Sequence, residues 1–421
     1  VIPSDTNRAI DAVWRIESAR IIAALARMVR DVGLAEELAQ DALVAALQQW
    51  PQKGIPDNPG AWLMATAKNR AMDHFRRSKM IEQKHGEVGR ELQSQQEAAV
   101  ATFHDVLQQD FGDDLLRLIF VSCHPVLTTE ARVALTLRLL GGLTTPEIAR
   151  AFLVPESTIA QRIVRAKRAL SDAKVPFEVP GGTELQQRLS SVLEVIYLIF
   201  NEGYSATAGD DWMRPALCED ALRMGRILAE LVPNEAEVHG LVALMEIQAS
   251  RSRARVASNG EPILLLEQDR TRWDRVLIRR GLAALGRSEG LAGDAGPYAL
   301  QAAIAACHAK VSVASETDWG RIAALYGELA QQSPSPIIEL NRAVAVAMAN
   351  GPQAGLELVD KISSDPALKS YHLLPSVRGD LLQKLGRWKE ARAEFERAAT
   401  LTKNSREQTL LKSRAEACRE A

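Results

Sequence analysis

Residues 143–170, LTTPEIARAFLVPESTIAQRIVRAKRAL, constrain the fold more than any other stretch of the chain. Thr144 is followed three residues later by Glu147, the spacing of a capping box in which each side chain bonds the other's backbone N–H. Pro146 suits a first helical turn, where the N–H it lacks would have no partner. The pattern predicts a short helix over Ile148, Ala149 and Phe152, a turn at Leu153 and Val154, and a second helix opened by Pro155. In the second helix Ile159, Ile163, Ala166 and Leu170 recur on one face at helical spacing. Thr158, Gln161, Arg162, Arg165 and Arg168 share the other. Two short helices with a tight turn, the second presenting a row of donors, are what a helix-turn-helix needs to read a major groove. Leu153 stands where such turns often carry glycine, and the same spacing also suits a solvated basic helix in a plain bundle.

The rest of the sequence predicts an all-α chain. Ala, Leu, Arg, Glu and Gln dominate long stretches, and these residues lose little side-chain freedom in a helix. With 47% apolar and 25% charged residues over 421 positions, the chain is globular, of a length for roughly three domains. A net charge of −2 excludes a uniformly basic nucleic-acid coat but not local basic faces. Cys123, Cys218, Cys307 and Cys418 lie far apart without C-x-x-C spacing, which predicts reduced thiols in the cytoplasm and neither a disulfide frame nor a zinc site. Charges at Arg15, Glu17, Arg20 and Arg27 interrupt the first apolar stretch, so neither a signal peptide nor a membrane span is expected. Val1 in place of Met suggests a trimmed or tagged chain.

Along the chain, a first helix over 10–32 is expected to stop at Gly33, and a second, from Leu34 to Trp50, to be closed by Pro51. Leu43, Leu47 and Trp50 fall on one face of the second helix; Glu37, Gln40, Asp41 and Gln48 fall on another. After a Pro-rich loop at 52–60, a third helix from Ala61 to Lys79 starts apolar and ends strongly basic. Lys68, Arg70, Arg76, Arg77 and Lys79 are interleaved there with Asn69, His74 and Phe75. That mixture suits a surface tracking a nucleic-acid strand with unstacked bases, or a solvated helix end favoured by the macrodipole. Residues 81–112 are polar and weakly periodic, a linker by composition. A Pro/Gly-rich hinge at 176–183 precedes a long helical array with loops near 207–212, 257–262 and 286–297. Within the array, Asn341-Arg342-Ala343 through Gly351 is echoed by a stretch ending at Gly386, followed by Ala391, Phe395 and Ala399. Small residues at those positions permit close helix approach, as in tetratricopeptide repeats of about 34 residues.

Taken together, the acidic helix ELAQDALVAALQQW, the segment NPGAWLMATAKNRAMDHFRR, a polar linker and the helix-turn-helix resemble, in order and spacing, the extracytoplasmic-function (ECF) group of bacterial sigma factors. VLEVIYLIFNEGYSA and FLVPESTIAQR are similar to the subgroup with a long C-terminal helical extension containing tetratricopeptide-like repeats. The resemblance implies a region 2-like domain at 1–80, the linker at 81–112, a region 4-like domain at 113–175, a helical extension at 176–335 and repeats at 336–421. It implies a non-enzymatic initiation subunit in the cytoplasm, without cofactor, whose partners are core RNA polymerase and promoter DNA. Glu37, Gln40 and Asp41 would then face the polymerase clamp. Asn69, Arg70, Asp73, Arg76, Arg77 and Lys79 would hold the minus-ten strand, with the loop Pro56–Gly60 beside them. Ser157, Thr158, Gln161, Arg162, Arg165, Lys167 and Arg168 would read and position the minus-thirty-five element.

Other signals are weak. Cys123-His124 and Cys307-His308 are adjacent pairs whose side chains diverge on a helix, so they read as core residues. Glu202-Gly203-Tyr204 reads as a loop, and Asp210-Asp211 lack calcium-loop spacing. Two rival readings use fewer of the residues: a helix-turn-helix regulator with a ligand- or partner-sensing repeat domain, and a helical-repeat scaffold. The extension is expected to contact the sigma core and set its activity in cis, with a chain ending near Lys174 folding yet transcribing abnormally.

Overall fold

The computed structural model describes residues 5–85, 111–152, 154–205, 208–209, 213–257, 261–291 and 293–418. They are almost entirely helical, and the chain divides into two compact units, residues 1–195 and 196–421.

The first unit opens with α1 (Asp5–Val29), α2 (Val32–Lys53) and α3 (Pro59–His85). Ile10, Ile21, Ile22 and Leu25 bury the inner stripe of α1. Gly33 does not stop a helix. The chain turns earlier, at Arg30 with a φ of 54°, and Asp31 caps α2 by accepting a hydrogen bond from the Leu34 N–H at 2.8 Å. That cap satisfies an orphan donor of the first turn and starts the helix before Gly33 can interrupt it. Pro51 likewise sits inside the last turn of α2, which ends at Gly54, where a φ of 86° lets the N–H reach back to the Trp50 carbonyl. Trp50 is buried and meets Trp62 edge-on, centroids 5.4 Å apart, tying α2 to α3.

The unit continues with α4 (Phe111–Ser122), α5 (Thr129–Leu139), α6 (Thr145–Phe152), α7 (Glu156–Asp172) and the first part of α8 (Gly182–Tyr204). Much of the expected linker, residues 86–110, lies outside the described residues, as does the turn residue Leu153. The stretch at 176–183 does not divide the two units; the division falls within α8. Arg188 on its first half is buried and donates to the Phe120 carbonyl at 2.8 Å. Ser191 donates to the Cys123 carbonyl at 2.8 Å, and Glu194 pairs with Arg132 at 3.2 Å. The Pro/Gly-rich stretch therefore returns the chain onto α4 and α5.

Among the described residues, the second unit holds the end of α8 and ten further α-helices. These are α9 (Pro215–Leu231), α10 (Ala236–Ala249), α11 (Arg275–Leu291), α12 (Pro297–Ala309) and α13 (Trp319–Gln332). Then come α14 (Pro336–Asn350), α15 (Pro352–Ile362), α16 (Leu373–Lys384), α17 (Trp388–Leu401) and α18 (Ser405–Ala417). Two short strands, β1 (Ala208–Gly209) and β2 (Lys403–Asn404), pair in parallel. The expected loop at 286–297 is mostly helix, because α11 runs through Gly286 and Gly290 to Leu291. Buried Ile278, Ala284 and Leu285 anchor it, and such burial outweighs a glycine penalty of about 1 kcal/mol each. Glu202 is not in a loop either: it lies on α8 and pairs with Arg214. Asp210 and Asp211 lie outside the described residues.

In the repeat-like part, α14–α18 share one core containing Leu340, Ala343, Phe395 and Leu411. A Cβ on Gly355 would stand 2.4 Å from the Ala347 Cβ, and one on Gly379 would stand 2.9 Å from the Phe395 ring. Glycine is what lets these helices approach so closely.

Candidate nucleic-acid interface

The capping box at the start of α6 forms as the spacing predicts. Glu147 accepts from the Thr144 N–H and hydroxyl, each at 2.8 Å, and its own N–H reaches the Thr144 hydroxyl at 3.4 Å. Burial pushes the Glu147 carboxyl up, but the bonds from Thr144 and the charge of Arg15 outweigh it and hold the group below the usual carboxylate range. Ile148 and Ala149 of α6 and Ile159, Ile163, Ala166 and Leu170 of α7 bury the inner faces.

Outside, Ser157, Gln161, Arg165 and Arg168 of α7 are exposed, while Thr158 and Arg162 are half-buried. Arg168 pairs with Asp172 at 3.4 Å, one turn along the same helix; so exposed a pair is worth little, and the guanidinium stays available. Val164, 65% exposed, lies among these donors. An apolar group among such donors suits a thymine methyl. Lys167 departs from the row, because its ammonium pairs with the Glu36 carboxylate of α2.

On α3, Asn69, Arg70, Asp73, Arg76 and Arg77 are all exposed, and Arg76 pairs with Asp73 at 3.6 Å. Their spacing gathers them on one side of the helix. Lys79 is on the same helix, its side chain outside the described residues. Lys68 does not belong to this surface: it is 4% exposed, and burial, then the neighbouring Arg27, push its pKa down.

On α2, Glu37 and Asp41 are exposed one turn apart. Val44 and Leu47 continue that side, 49% and 41% exposed. Leu47 shares a face with Leu43 and Trp50 at helical spacing, yet of the three only Trp50 is buried. Gln40 is half-buried and donates to the Glu36 carboxylate, so it leaves the Glu37–Asp41 face.

Glu36 is the centre of a polar seam that periodicity could not reveal. Its carboxylate is 4% exposed and receives Arg138 of α5 at 2.6 Å together with Lys167 of α7. Arg138 also donates to the Leu143 carbonyl beside the capping box. Two further pairs cross the same seam, Arg15 with Glu147 at 2.6 Å and Arg27 with Asp114 at 3.4 Å. Burial raises the Asp114 pKa, partly opposed by Arg27 and Arg117. The helices carrying the two basic faces are thus held in one body by charges partnered across it.

No cluster of metal-ligating side chains gathers among the described residues, and no described helix is long and apolar enough to cross a membrane.

Residues 15–80 match the family Sigma-70 region 2, and residues 117–170 match Sigma-70, region 4. Residues 188–289 match a family of unknown function, DUF6596. The chain is 42% identical over 91% of its length to an uncharacterized protein, R00370, of Rhizobium meliloti (strain 1021), covering 90% of that protein. It is 31% identical over 36% of its length to the ECF RNA polymerase sigma factor SigK of Mycobacterium ulcerans (strain Agy99), covering 78% of it. To the probable ECF RNA polymerase sigma factor SigI of Mycobacterium tuberculosis it is 26% identical over 40% of the chain, covering 57% of that protein. No solved structure matches it.

Proposed function

The chain belongs to the sigma-70 family as an ECF sigma factor with a C-terminal helical extension, and from that premise we propose how its exposed faces divide the work. A sigma factor binds core RNA polymerase and directs promoter recognition and initiation. In our reading Gln161, Arg162, Arg165 and Val164 of α7 read the minus-thirty-five element, while Ser157, Thr158 and Arg168 position it. Asn69, Arg70, Asp73, Arg76 and Arg77 of α3 engage the minus-ten strand. Glu37 and Asp41, with Val44 and Leu47, meet the polymerase clamp. Lys167 joins the DNA contacts only after leaving Glu36. The chain would work in the cytoplasm beside its polymerase, without catalytic residues of its own.

The observation that carries this reading is the position of the two exposed basic faces. The α3 face falls within residues 15–80 and the α7 face within residues 117–170, the two stretches matched to promoter-recognition regions. The test is transcription in vitro with core polymerase, after mapping the start sites that appear on overexpression. Starts are expected downstream of one shared pair of elements; addition of the chain without any new start would refute the reading.

Two substitutions separate the faces. Gln161→Ala or Arg162→Ala should relax base preference at single positions by about 1–3 kcal/mol, whereas Arg168→Ala should weaken all sequences alike and lower the salt dependence. Binding to a panel of single-base promoter variants decides, and an unchanged preference after both reading substitutions removes them from that role. Asp41→Arg should weaken holoenzyme assembly at least tenfold without moving the thermal melt, by setting like charge against the clamp. Normal polymerase affinity with a normal melt would move the docking face elsewhere.

For the extension we propose control of the sigma core in cis. A covalent tether holds even a weak contact at an effective concentration of roughly millimolar. Comparing transcription by the full chain with that of a shorter chain, with the extension added back in trans, tests it; equal output from all would refute it.

A further inference from the structure

Among the described residues only two non-glycine positions hold a positive φ, Arg30 at 54° and Lys174 at 49°. Each follows a helix, α1 and α7 respectively, at the place where glycine usually ends a helix because a side chain is strained there. Both line the same cavity, of about 630 Å³, in the first unit. A cation near a helix C-terminus is favoured by the dipole. That attraction does not require the left-handed residue itself to carry the charge, nor bring two such residues to one cavity.

The cavity has two kinds of lining residue, charged and apolar. Arg27, Arg117 and Lys167 join Arg30 and Lys174 in its lining. The first three already have carboxylate partners, Asp114 for the two arginines and Glu36 for the lysine. Arg30 and Lys174 make no ion pair among the described residues. Asp31 and Glu178 are the acids of the lining, so it carries five positive charges against two negative. Val121, Leu170, Val175 and Phe177 supply apolar lining. The volume is that of a site for a small organic ligand.

We propose that this cavity binds a nucleoside diphosphate or a closely similar phosphorylated compound, with its phosphates on Arg30 and Lys174 and its flat ring against Phe177. Two unpaired cations suit a group carrying more than one negative charge, since charge-assisted bonds to phosphate are the strong ones. Apolar residues in the same lining suit a ring, which a bare inorganic ion lacks. Arg30 belongs to the residues matched as region 2 and Lys174 follows those matched as region 4. A seated ligand would therefore hold the two regions together; that consequence rests on the sigma factor reading, whereas the binding does not.

The test uses the full chain, titrated with ADP, GDP and inorganic pyrophosphate in phosphate-free buffer without divalent cations. The nucleotides are expected to bind in the submillimolar range and raise the melting temperature, with pyrophosphate at least tenfold weaker. Arg30→Gly combined with Lys174→Gly removes both charges where the backbone favours glycine, so this variant should melt no lower than the parent chain yet bind nucleotide at least tenfold more weakly. The corresponding pair of asparagines, also tolerant of this backbone, gives a second neutral version with the same expected loss. Phe177→Ala should weaken the nucleotides and leave pyrophosphate unchanged. Absence of nucleotide binding to the parent chain, or full affinity in a folded neutral variant, overturns the site. Equal affinity for pyrophosphate and nucleotide overturns the assignment of the ligand class.

Discussion

Glu36→Gln is expected to open the first unit and raise the affinity of the free chain for promoter DNA. Glutamine keeps the volume of the side chain and can still accept a hydrogen bond, but it leaves Arg138 and Lys167 without their shared negative charge. Removing one partner from a buried ion pair costs about 3–5 kcal/mol. Arg138 and Lys167 keep 20% and 25% of their side-chain surface exposed, so water can take up part of the lost interaction. We expect about 2 kcal/mol here, roughly a thirtyfold shift in the ratio of closed to open forms.

The shift matters because, with the two faces assigned as proposed, the closed form would have to open to reach both promoter elements. Sites centred near minus ten and minus thirty-five lie about 25 base pairs apart, or roughly 85 Å along the duplex. In the closed form α7, the proposed minus-thirty-five reader, is held against α2 through one carboxylate, and α2 is joined to α3 through Trp50 and Trp62. On that assignment the two readers would part before binding together, and Lys167 would release Glu36 before meeting a phosphate. Energy transfer between labels on the exposed ends of α3 and α7 measures the opening, and DNA binding at fixed salt measures its effect. An unchanged distance and an unchanged affinity would remove Glu36 from this role.

A chain ending at Lys174 is expected to lose the fold of region 4, and a chain ending at Tyr204 to keep it. The shorter chain lacks the three polar contacts that Arg188, Ser191 and Glu194 make to α4 and α5. It also lacks Leu189, Val192, Leu193 and Val195, each no more than 3% exposed. Burial of such side chains contributes about 1.5–3 kcal/mol each, an upper estimate of roughly 6–12 kcal/mol for the four. Whole domains are stable by about 5–15 kcal/mol, so the loss is of the same order. Abnormal transcription by the shorter chain would then report a damaged reader and not a missing regulator. Urea melts of both chains separate the two causes: coincident transitions would show that α8 is no part of the region 4 fold. For the same reason, the cut that tests regulation in cis belongs after Tyr204.

The sequence made the local parts of this architecture legible. The Thr144/Glu147 box, the inner stripe of α7 and the exposed basic side of α3 are set by residues within a few turns of one another, and periodicity reports such relations directly. Errors arose where a local signal met a competing one. Gly33 and Pro51 read as helix ends, but Asp31 and Gly54 supplied the actual caps. Gly286 and Gly290 read as a loop, but the buried side of α11 carried the helix through them. Lys68 and Lys167 read as surface cations because a sequence shows charge and not burial; Lys68 is buried, with the like charge of Arg27 near it, and Lys167 is held by Glu36, distant in sequence. Val44, Leu47 and Val164 went the other way, apolar residues left in solvent on faces otherwise polar. An apolar residue outside the core stripe of an amphipathic helix was the available signal for Val44 and Val164. None existed for the seam.

The pairing of β1 with β2 alters how the second unit should come apart. Ala208 and Gly209 near its beginning align with Lys403 and Asn404 near its end. Asn404 is fully buried and caps α18 by accepting from the Arg406 and Glu407 N–H groups. An open array of repeats behaves as a string of nearest-neighbour links, and its terminal members fray first. Here the two ends are fastened to each other, so neither can peel away without breaking the pairing that secures the other. Hydrogen exchange at both ends should rise together, and inserting or deleting a repeat between them would throw the clasp out of line.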